Sequence, residues 1–285
     1  MDTVIGMGSA GCNIAASFAR YPQYEVYQID VGLSGERCFN FPKQSTHEEY
    51  ERNCPSMREF FSAVSGEVLF VMGGSGFITG AVLRVLHQIR HCKISILYIQ
   101  PDIELLSKTR KLQERVTCGV LQEYARSAVF DKIYLISNNE LENILGDVPV
   151  AQYNDKLNEL IVSTFHMYNV FRYNEPIDTT FAPLLPSARI ATFGIFDVSK
   201  GEEKMFFSLD IVREKRYYYG INEETLRTDG QLFKKIKDKT KGQNKEMAKA
   251  SYSIYSTSYE QNYGYVVCHT SKIQLDNLRD NDYNK

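Results

Sequence analysis

The first half of the chain alternates short apolar runs with longer stretches in which apolar residues recur every three or four positions. The apolar runs are rich in Val, Ile, Leu, Phe and Tyr, and they predict strands at 3–7, 25–30, 68–72, 94–100 and 132–137. The stretches between them predict helices at 11–20, about 47–64, 79–90, about 103–126 and 139–145. Strands that alternate with helices in this way predict an α/β domain with a doubly wound, mostly parallel sheet over residues 1–152.

One long helix ends this alternation. Over residues 153–173, Leu157, Ile161, Phe165 and Tyr168 fall on one helical face. The helix leads into a Pro-containing loop at 174–187. The pattern beyond the loop predicts strands at 188–198, 204–212, 215–221, 251–258 and 264–271, with a Lys-rich helix or loop at 229–249. We therefore expect a central helix, a smaller α+β domain at 188–273 and a polar tail at 274–285.

The composition fits a globular protein. With 285 residues, 43% of them hydrophobic, the chain is long enough to bury a substantial core. A formal net charge of −2 gives no reason to expect that the chain as a whole binds nucleic acid or a membrane surface. The sequence has no apolar run of about 18 residues, and a strand predicted at 3–7 argues against a signal peptide. We therefore expect a cytoplasmic protein with no membrane partner.

Cysteine and histidine spacing predicts no metal site. The six cysteines include no C-x-x-C pair. His87 and His91 are separated by four residues, as in zinc proteases, but Gln88 replaces the catalytic Glu and no third ligand is evident. The stretch 233–249 carries seven Lys against Asp238 and Glu246. This pattern is typical of a solvated face, with an acidic or DNA-bound partner as the alternative.

A glycine-rich turn follows the first predicted strand. The segment GMGSAG, from Gly6 to Gly11, opens the first helix, and Asp30 ends the next strand 19 residues later. Such glycines let the backbone approach a phosphate while the helix N-terminus supplies free N–H groups. The spacing is also that of a dinucleotide-binding fingerprint, in which the acid holds the ribose. An enzyme that binds NAD or FAD is therefore one alternative, and glycines that serve only helix–strand packing are another.

A second glycine-rich turn follows the strand at 68–72. Gly74, Gly76, Thr79 and Gly80 stand where backbone amides can converge on anionic oxygens, with the Thr79 hydroxyl as a helix cap or phosphate donor. It lacks the Gly-Lys-Ser/Thr of a Walker A loop. Two such turns predict a nucleotide held from two sides, which a simple dinucleotide-binding domain does not require.

At these turns the sequence resembles the tubulin/FtsZ superfamily. VIGMGSAGCN, which ends at Asn13, resembles the first nucleotide loop of FtsZ, and GGSGFITGA resembles the glycine-rich signature loop of the family. YLISNN followed by ELENIL resembles the sixth strand and the short helix after it. Asn154-Asp155 opens the long helix where the family has its guanine-recognising Asn-Asp. The resemblance covers about residues 1–195.

The resemblance implies a cytoskeletal protein that binds GTP or GDP, with Mg²⁺ as a compatible ion, and that assembles head to tail into filaments. It places Glu104 and Arg110 near the ribose, Asn138 and Asn154 or Asp155 at the guanine edge, and Asp30 near the ribose or a metal-bound water. The implied nucleotide-binding residues are Gly8, Ser9, Ala10, Gly11, Cys12, Asn13, Asp30, Gly74, Ser75, Gly76, Phe77, Ile78, Thr79, Gly80, Glu104, Arg110, Asn138, Asn154 and Asp155.

The sequence departs from the family in three places. In the loop that carries the catalytic acids of the family, Thr180 and Pro183 stand in the acidic positions, which leaves Asp178 as the candidate catalytic residue. Phe77 and Ile78 replace small residues of the signature loop, and Ile78 cannot adopt a positive φ cheaply. The stretch between the second and third predicted strands has no glycine-rich loop to contact a γ-phosphate. These changes predict weak or lost hydrolysis, or a filament scaffold with a vestigial nucleotide site.

Overall fold

The computed structural model describes residues 2–244 and 248–274, with the backbone alone at Asn244. The strands of this part are β1 (Thr3–Met7), β2 (Glu25–Asp30), β3 (Cys38–Asn40), β4 (Glu67–Gly73), β5 (Lys93–Gln100), β6 (Lys132–Ser137), β7 (Asp178–Thr179), β8 (Ile190–Phe196), β9 (Glu203–Met205), β10 (Glu214–Asn222), β11 (Lys249–Thr257) and β12 (Tyr263–Thr270). Its helices are α1 (Gly8–Phe18), α2 (His47–Arg52), α3 (Val82–Gln88), α4 (Lys108–Arg126), α5 (Asn138–Leu145), α6 (Tyr153–Tyr173), α7 (Glu223–Thr228) and α8 (Leu232–Asn244). Short 3-10 turns occur at Phe77–Ala81, Ile103–Leu105 and Val150–Gln152.

The strands form one sheet in the order β3-β2-β1-β4-β5-β6-β8-β12-β10-β11-β7, with β9 on β8. From β3 to β8 every neighbouring pair on this path is parallel, which confirms the predicted α/β fold class. β6 and β8 join at Ile133↔Ile190 and Tyr134↔Ala191, so the strands of the two predicted domains share a single sheet. The parallel strands all end at one side of the sheet, which we call the carboxyl edge. They all begin at the opposite side, which we call the amino edge.

Helices cover both faces of the sheet. The alternating side chains of β10 show the two faces, because Tyr218 packs with α6 while Tyr217 and Tyr219 pack with α8. The α6 face also carries α1, and Phe165 of α6 packs on Tyr134 of the first half and Phe193 of the second, with ring centroids 5.7 and 5.6 Å apart. The central helix therefore binds both halves into one core.

The direction of α6 fixes the relation between the two edges. At its start, the Tyr153 hydroxyl donates to Glu142, in the helix that follows β6, at 3.2 Å. At its end, the Arg172 guanidinium donates to Glu67, the first residue of β4, at 3.2 Å. A helix of 21 residues spans about 32 Å at 1.5 Å per residue. The loop 174–187 therefore starts at the amino edge, far from the glycine-rich turns at the carboxyl edge.

Most predicted elements are confirmed, and β1, β2, β6 and α6 have the predicted bounds. The helix predicted at about 47–64 is wrong, because α2 ends at Arg52 and the chain continues in turns. Pro55 disfavours helical backbone at the residue before it. The side chain of Gln88 then holds the turn by donating to the Pro55 carbonyl and accepting from the Met57 N–H, at 3.0 and 2.6 Å.

The strand predicted at 204–212 is also mostly wrong, because β9 ends at Met205. β9 pairs with β8 only from Gly194 to Phe196, since the first residues of β8 on the same side are paired with β6. After Met205 the chain meets β6, where the Ser137 N–H donates to the Phe206 carbonyl at 2.7 Å. Phe206 and Phe207 are buried, whereas Ile211 is exposed. Among the described strands, the segment has no free edge to pair with beyond Met205.

Two expectations concern residues that the structure describes in part. Gln274, the first residue of the predicted polar tail, is buried and its N–H donates to Gln122 at 2.8 Å, whereas 275–285 lie outside the described residues. In the Lys-rich stretch 233–249, residues 245–247 also lie outside them. Lys239 of this stretch turns inward to Glu203, at 3.1 Å. Nothing in the described residues supports the acidic or DNA-bound partner predicted for it.

Candidate functional site

The first glycine-rich turn passes directly from β1 into α1. Gly8, the first residue of α1, has a φ of +72°, which residues with a side chain rarely adopt. Gly11 lies so close to the Val71 carbonyl of β4 that a Cβ atom has no room there. The residue before the helix, Met7, offers no oxygen to cap it. The N-terminus of α1 is therefore held tightly against the sheet with its first N–H groups free for an anion.

The second glycine-rich turn follows β4. It leads through the 3-10 turn Phe77–Ala81 into α3, and Ile78 is buried with a negative φ, so the bulky residue is accommodated without backbone strain. The Thr79 hydroxyl donates to the Gly76 carbonyl at 2.7 Å, which stabilises the turn. Gly80 approaches the His47 carbonyl of α2 too closely to admit a Cβ atom.

The two turns and the end of β2 enclose a cleft of about 430 Å³ at the carboxyl edge. Asp30 closes one side, where one carboxylate oxygen accepts from the Ser9 hydroxyl at 3.1 Å and the other from the Val31 N–H at 2.8 Å. The lining residues are Met7, Gly8, Ser9, Ala10, Asp30, Lys43, Gln44, Tyr50, Gly73, Ser75, Gly76, Phe77, Ile78 and Thr79. Nine of the residues named in the sequence analysis thus meet in one cleft.

Four further predicted residues lie in the turns but do not line the cleft. Gly11 and Gly80 serve close packing, as described above, and Gly74 does the same against Tyr98 and Glu114. The Cys12 thiol is buried and donates to the carbonyls of β1 and β2, and burial raises its pKa to about 12. Its side chain therefore faces the sheet, away from the cleft.

The remaining predicted residues lie farther along the carboxyl edge or on α1. Asn13 is exposed on α1, and Arg110 places its guanidinium 5.3 Å from the ring centroid of Phe77, at the rim of the cleft. Glu104 lies in the turn after β5, Asn138 begins α5 after β6, and Asn154 and Asp155 lie in the first turn of α6. All of these except Asn138, which is half-buried, are exposed.

Lys43, Gln44 and Tyr50 line the cleft although the sequence pattern did not indicate them. They lie in and after the loop that follows β3, a three-residue strand that pairs in parallel with β2. The sequence does carry a local signal for the start of α2, since Thr46 and Glu49 have the Thr-x-x-Glu spacing of a capping box. The Thr46 hydroxyl accepts from the Glu49 N–H, and the Glu49 carboxylate accepts from the N–H of Ser45, the residue before the cap. That signal does not reveal that the loop before α2 reaches the cleft.

Asp178 lies at the other end of the molecule. β7 pairs with β11 at the outer side of the sheet, and the Tyr252 hydroxyl donates to the Asp178 carboxylate at 2.9 Å. Arg216 holds the 174–187 loop, to which Asp178 belongs. It donates to the Ala182 carbonyl and places its guanidinium 5.0 Å from the ring centroid of Phe181. The chain therefore keeps Asp178 in a fixed position and away from its own cleft.

No family model and no curated protein matches the sequence. The structure is nevertheless similar to solved structures over nearly its whole length. An FtsZ dimer from M. jannaschii gives a TM-score of 0.69 at 14% identity, covering 95% of this chain and 88% of that one. A GTPγS-form protofilament of TubZ from Bacillus thuringiensis serovar israelensis gives 0.70 at 16% identity, covering 94% and 86%. CetZ2 from Haloferax volcanii, in a GTPγS-bound protofilament, gives 0.68 at 12% identity, covering 97% and 96%.

The protein therefore has a tubulin/FtsZ-like α/β fold with a strongly divergent sequence. The cleft at the carboxyl edge is made by the two glycine-rich turns that carry the sequence resemblance. Among the described residues, no helix combines the length and the apolar character needed to cross a membrane.

Proposed function

We propose that this protein binds a guanine nucleotide in the cleft between its glycine-rich turns and assembles head to tail into filaments. The observation that carries the proposal is the placement of two features at opposite ends of α6. The cleft lies at the carboxyl edge, and the 174–187 loop starts at the amino edge, about 32 Å away along the helix. Only a second copy of the chain can bring that loop to the cleft.

The chemistry of the cleft supports a polyphosphate ligand. The free N–H groups and the positive dipole end of α1 favour an anion. Gly73 and Gly76 let the opposite wall approach closely. Asp30 carries the only carboxylate that the described part of the chain contributes to the lining of the cleft, and both of its oxygens already accept hydrogen bonds. It would therefore hold Mg²⁺ through a bound water, as is usual for Mg²⁺ that a nucleotide phosphate also binds.

The residues proposed to recognise the base lie farther along the same edge. Asn138 follows β6, and Asn154 and Asp155 lie in the first turn of α6. A carboxylate or amide oxygen can accept hydrogen bonds from the N1–H and the exocyclic amino group of guanine. Adenine does not offer this pair of neighbouring donors. A base above β6 and phosphates above β4 and β1 would fit the strand order.

The exposed apolar residues support a head-to-tail contact. At the carboxyl edge, Phe77 and Leu105 are 38% and 83% exposed. In and beside the 174–187 loop, Tyr173, Ile177 and Leu185 are 62%, 59% and 54% exposed. Two different apolar surfaces at opposite ends make a heterologous contact, which generates an open filament when it does not close into a ring. The TubZ and CetZ2 structures are themselves protofilaments.

Hydrolysis would depend on this contact. The 174–187 loop has two carboxylates, Glu175, which precedes Pro176, and Asp178. We assign Asp178 to the nucleotide of a neighbouring copy, since it lies in the segment that resembles the catalytic loop, where Thr180 and Pro183 cannot accept a proton from water at neutral pH. Its bond from Tyr252 uses one of its oxygens. We therefore propose slow hydrolysis that requires assembly, and Asp178→Asn should abolish it without weakening nucleotide binding.

The test is acid extraction and chromatography of the nucleotide that copurifies with the protein, followed by pelleting with and without GTP and Mg²⁺. We expect GTP or GDP in the extract and a pellet that depends on GTP. Ile177→Asp should abolish pelleting and leave the bound nucleotide unchanged, whereas the matched surface variant Val116→Asp on α4, where Val116 is 55% exposed, should pellet normally. Bound NAD or FAD would contradict the proposal, and pelleting that ignores nucleotide would favour a scaffold with a vestigial site.

A further inference from the structure

We propose that Lys43 binds the terminal phosphate of the nucleotide and thereby makes the cleft prefer a nucleoside triphosphate over a diphosphate. This inference rests on the proposed function, because it concerns the same cleft. It assigns to one side chain the contact that a glycine-rich third loop would otherwise make.

The strand order gives Lys43 its place along the nucleotide. On the carboxyl edge the order is β6, β5, β4, β1, β2, β3, with neighbouring strands about 4.8 Å apart. The residues proposed to read the base follow β6, and the two glycine-rich turns follow β4 and β1. A nucleotide laid along this edge points its terminal phosphate towards β2 and β3. Lys43 lines the cleft from the loop that follows β3.

The charges in the cleft support the same assignment. Among the described residues that line the cleft, Lys43 is the only one with a cationic side chain, and Asp30 is the only one with a carboxylate. Asp30 is already occupied by Ser9 and Val31. Lys43 is exposed, and no hydrogen bond or ion pair holds its ammonium group within the described parts of the chain. A γ-phosphate adds negative charge at the end of the ligand where this free cation stands.

The loop that carries Lys43 is held in place on both sides. Before it, Phe41 is buried and its ring centroid lies 5.6 Å from that of Tyr50. After it, the Thr46 hydroxyl accepts from the Glu49 N–H at 3.1 Å, and the Glu49 carboxylate accepts from the Ser45 N–H at 2.9 Å. A lysine on a loop fixed in this way loses less entropy on binding than one on a mobile loop.

The helix that follows this loop, α2, contacts the second glycine-rich turn. The His47 carbonyl, at the start of α2, lies against Gly80, which has no room for a Cβ atom. The chain is therefore packed on the second glycine-rich turn at a point four residues beyond Lys43. A terminal phosphate held by Lys43 would also fix this packing.

The test compares the dissociation constants of GDP and a non-hydrolysable GTP analogue for four proteins in Mg²⁺ buffer. The proteins are the wild type, Lys43→Gln, Lys43→Arg and the charge-matched control Lys234→Gln, which removes an exposed lysine of α8. A charge-assisted hydrogen bond is stronger than a neutral one, and solvent screening lowers its contribution at an exposed site. We expect Lys43→Gln to weaken the analogue about tenfold and GDP by less than about threefold. Lys43→Arg should retain the preference, and Lys234→Gln should match the wild type.

The outcomes separate this inference from the function on which it rests. If Lys43→Gln weakens both nucleotides equally, or neither, while the wild type binds both, the inference is wrong and the proposed function stands. If the wild type binds neither nucleotide, the proposed function fails first. Thermal unfolding of Lys43→Gln at the wild-type temperature would show that the change acts on binding, because the side chain supports no contact in the described structure.

Discussion

A substitution at Gly74 tests how the second glycine-rich turn packs against Tyr98 and Glu114. A Cβ atom at Gly74 would overlap the hydroxyl of Tyr98 and would lie 2.8 Å from its Cζ and 3.0 Å from Cγ of Glu114. Tyr98 and Glu114 are both fully buried, and the Tyr98 hydroxyl donates to the Glu114 carboxylate at 2.9 Å. Gly74→Ala must therefore push a buried tyrosine off its hydrogen-bond partner.

The size of the effect follows from two contributions. Overpacking of a well-packed core costs typically about 1–3 kcal/mol. Loss of a hydrogen bond to a buried carboxyl costs about 1–3 kcal/mol more. We expect Gly74→Ala to lower the free energy of unfolding by roughly 2–6 kcal/mol. For 285 residues, with an unfolding entropy of about 0.6 kcal/mol/K, this lowers Tm by about 3–10 °C.

Gly76→Ala is the matched control. A Cβ atom there would meet only Cγ2 of Ile78, at 3.7 Å, and Gly76 has a φ of −79°, which alanine adopts readily. We expect its stability to be unchanged or raised by about 0.4–1 kcal/mol. Its nucleotide affinity should fall, because the added methyl group lies in the lining of the cleft. An NAD- or FAD-binding enzyme that used only the first turn would bind its cofactor normally.

Thermal unfolding followed by near-UV circular dichroism measures both variants, and Tyr98→Phe completes a double-mutant cycle with Gly74→Ala. Removal of the hydroxyl relieves the closest overlap, so the double variant should lose less than the sum of the two single losses. A Gly74→Ala protein that melts at the wild-type temperature would refute the packing described for this turn. Strictly additive losses would show that Tyr98 is not the residue displaced.

Two further predictions concern the amino edge. Burial alone would raise the pKa of Glu67, but the hydrogen bond from Lys93 and the charges of Arg172 and Lys93 outweigh it and lower the pKa to about 2. The stabilisation from Glu67 is then full above the unfolded pKa of about 4.5 and is lost as the pH falls towards 2. Glu67→Gln should therefore lower the free energy of unfolding at pH 7 by about 1–2 kcal/mol after solvent screening. It should also make stability depend less on pH below 4.5. A pH–stability curve unchanged by Glu67→Gln would contradict this. Arg216→Lys removes the planar contact between the guanidinium and Phe181. Limited proteolysis should then cleave the 174–187 loop faster in the variant than in the wild type. Equal cleavage rates would show that Arg216 does not hold the loop.

The elements that could be predicted are those with local signals. Alternating apolar runs mark β1, β2 and β6, and the spacing of Leu157, Ile161 and Phe165 marks α6, because these patterns depend only on neighbouring residues. The two glycine-rich turns could be located for the same reason. Their joint position in one cleft follows from the rule that parallel strands place their carboxyl ends at one edge.

The features that the sequence did not reveal depend on contacts between distant residues. Lys43 reaches the cleft because the three residues of β3 pair with β2. A strand of three residues is too short for its pairing to be predicted from the sequence pattern. Gly74 is required by Tyr98 and Glu114, which come from a later strand and helix. The glycine resembles a phosphate-binding residue in the sequence, yet its neighbours in the structure give it a packing role.

The central claim is that the carboxyl end of one subunit contacts the amino end of the next, and a complementation experiment tests it directly. Leu105→Asp breaks the first surface and Ile177→Asp breaks the second, and both side chains are exposed, so both variants should fold. Sedimentation velocity with GTP and Mg²⁺ should show each variant alone as a monomer, because each lacks one of the two surfaces. An equimolar mixture should form dimers that grow no further, since only one intact pair of surfaces remains. A mixture that stays monomeric, or a single variant that still forms filaments or dimers, would contradict the head-to-tail account.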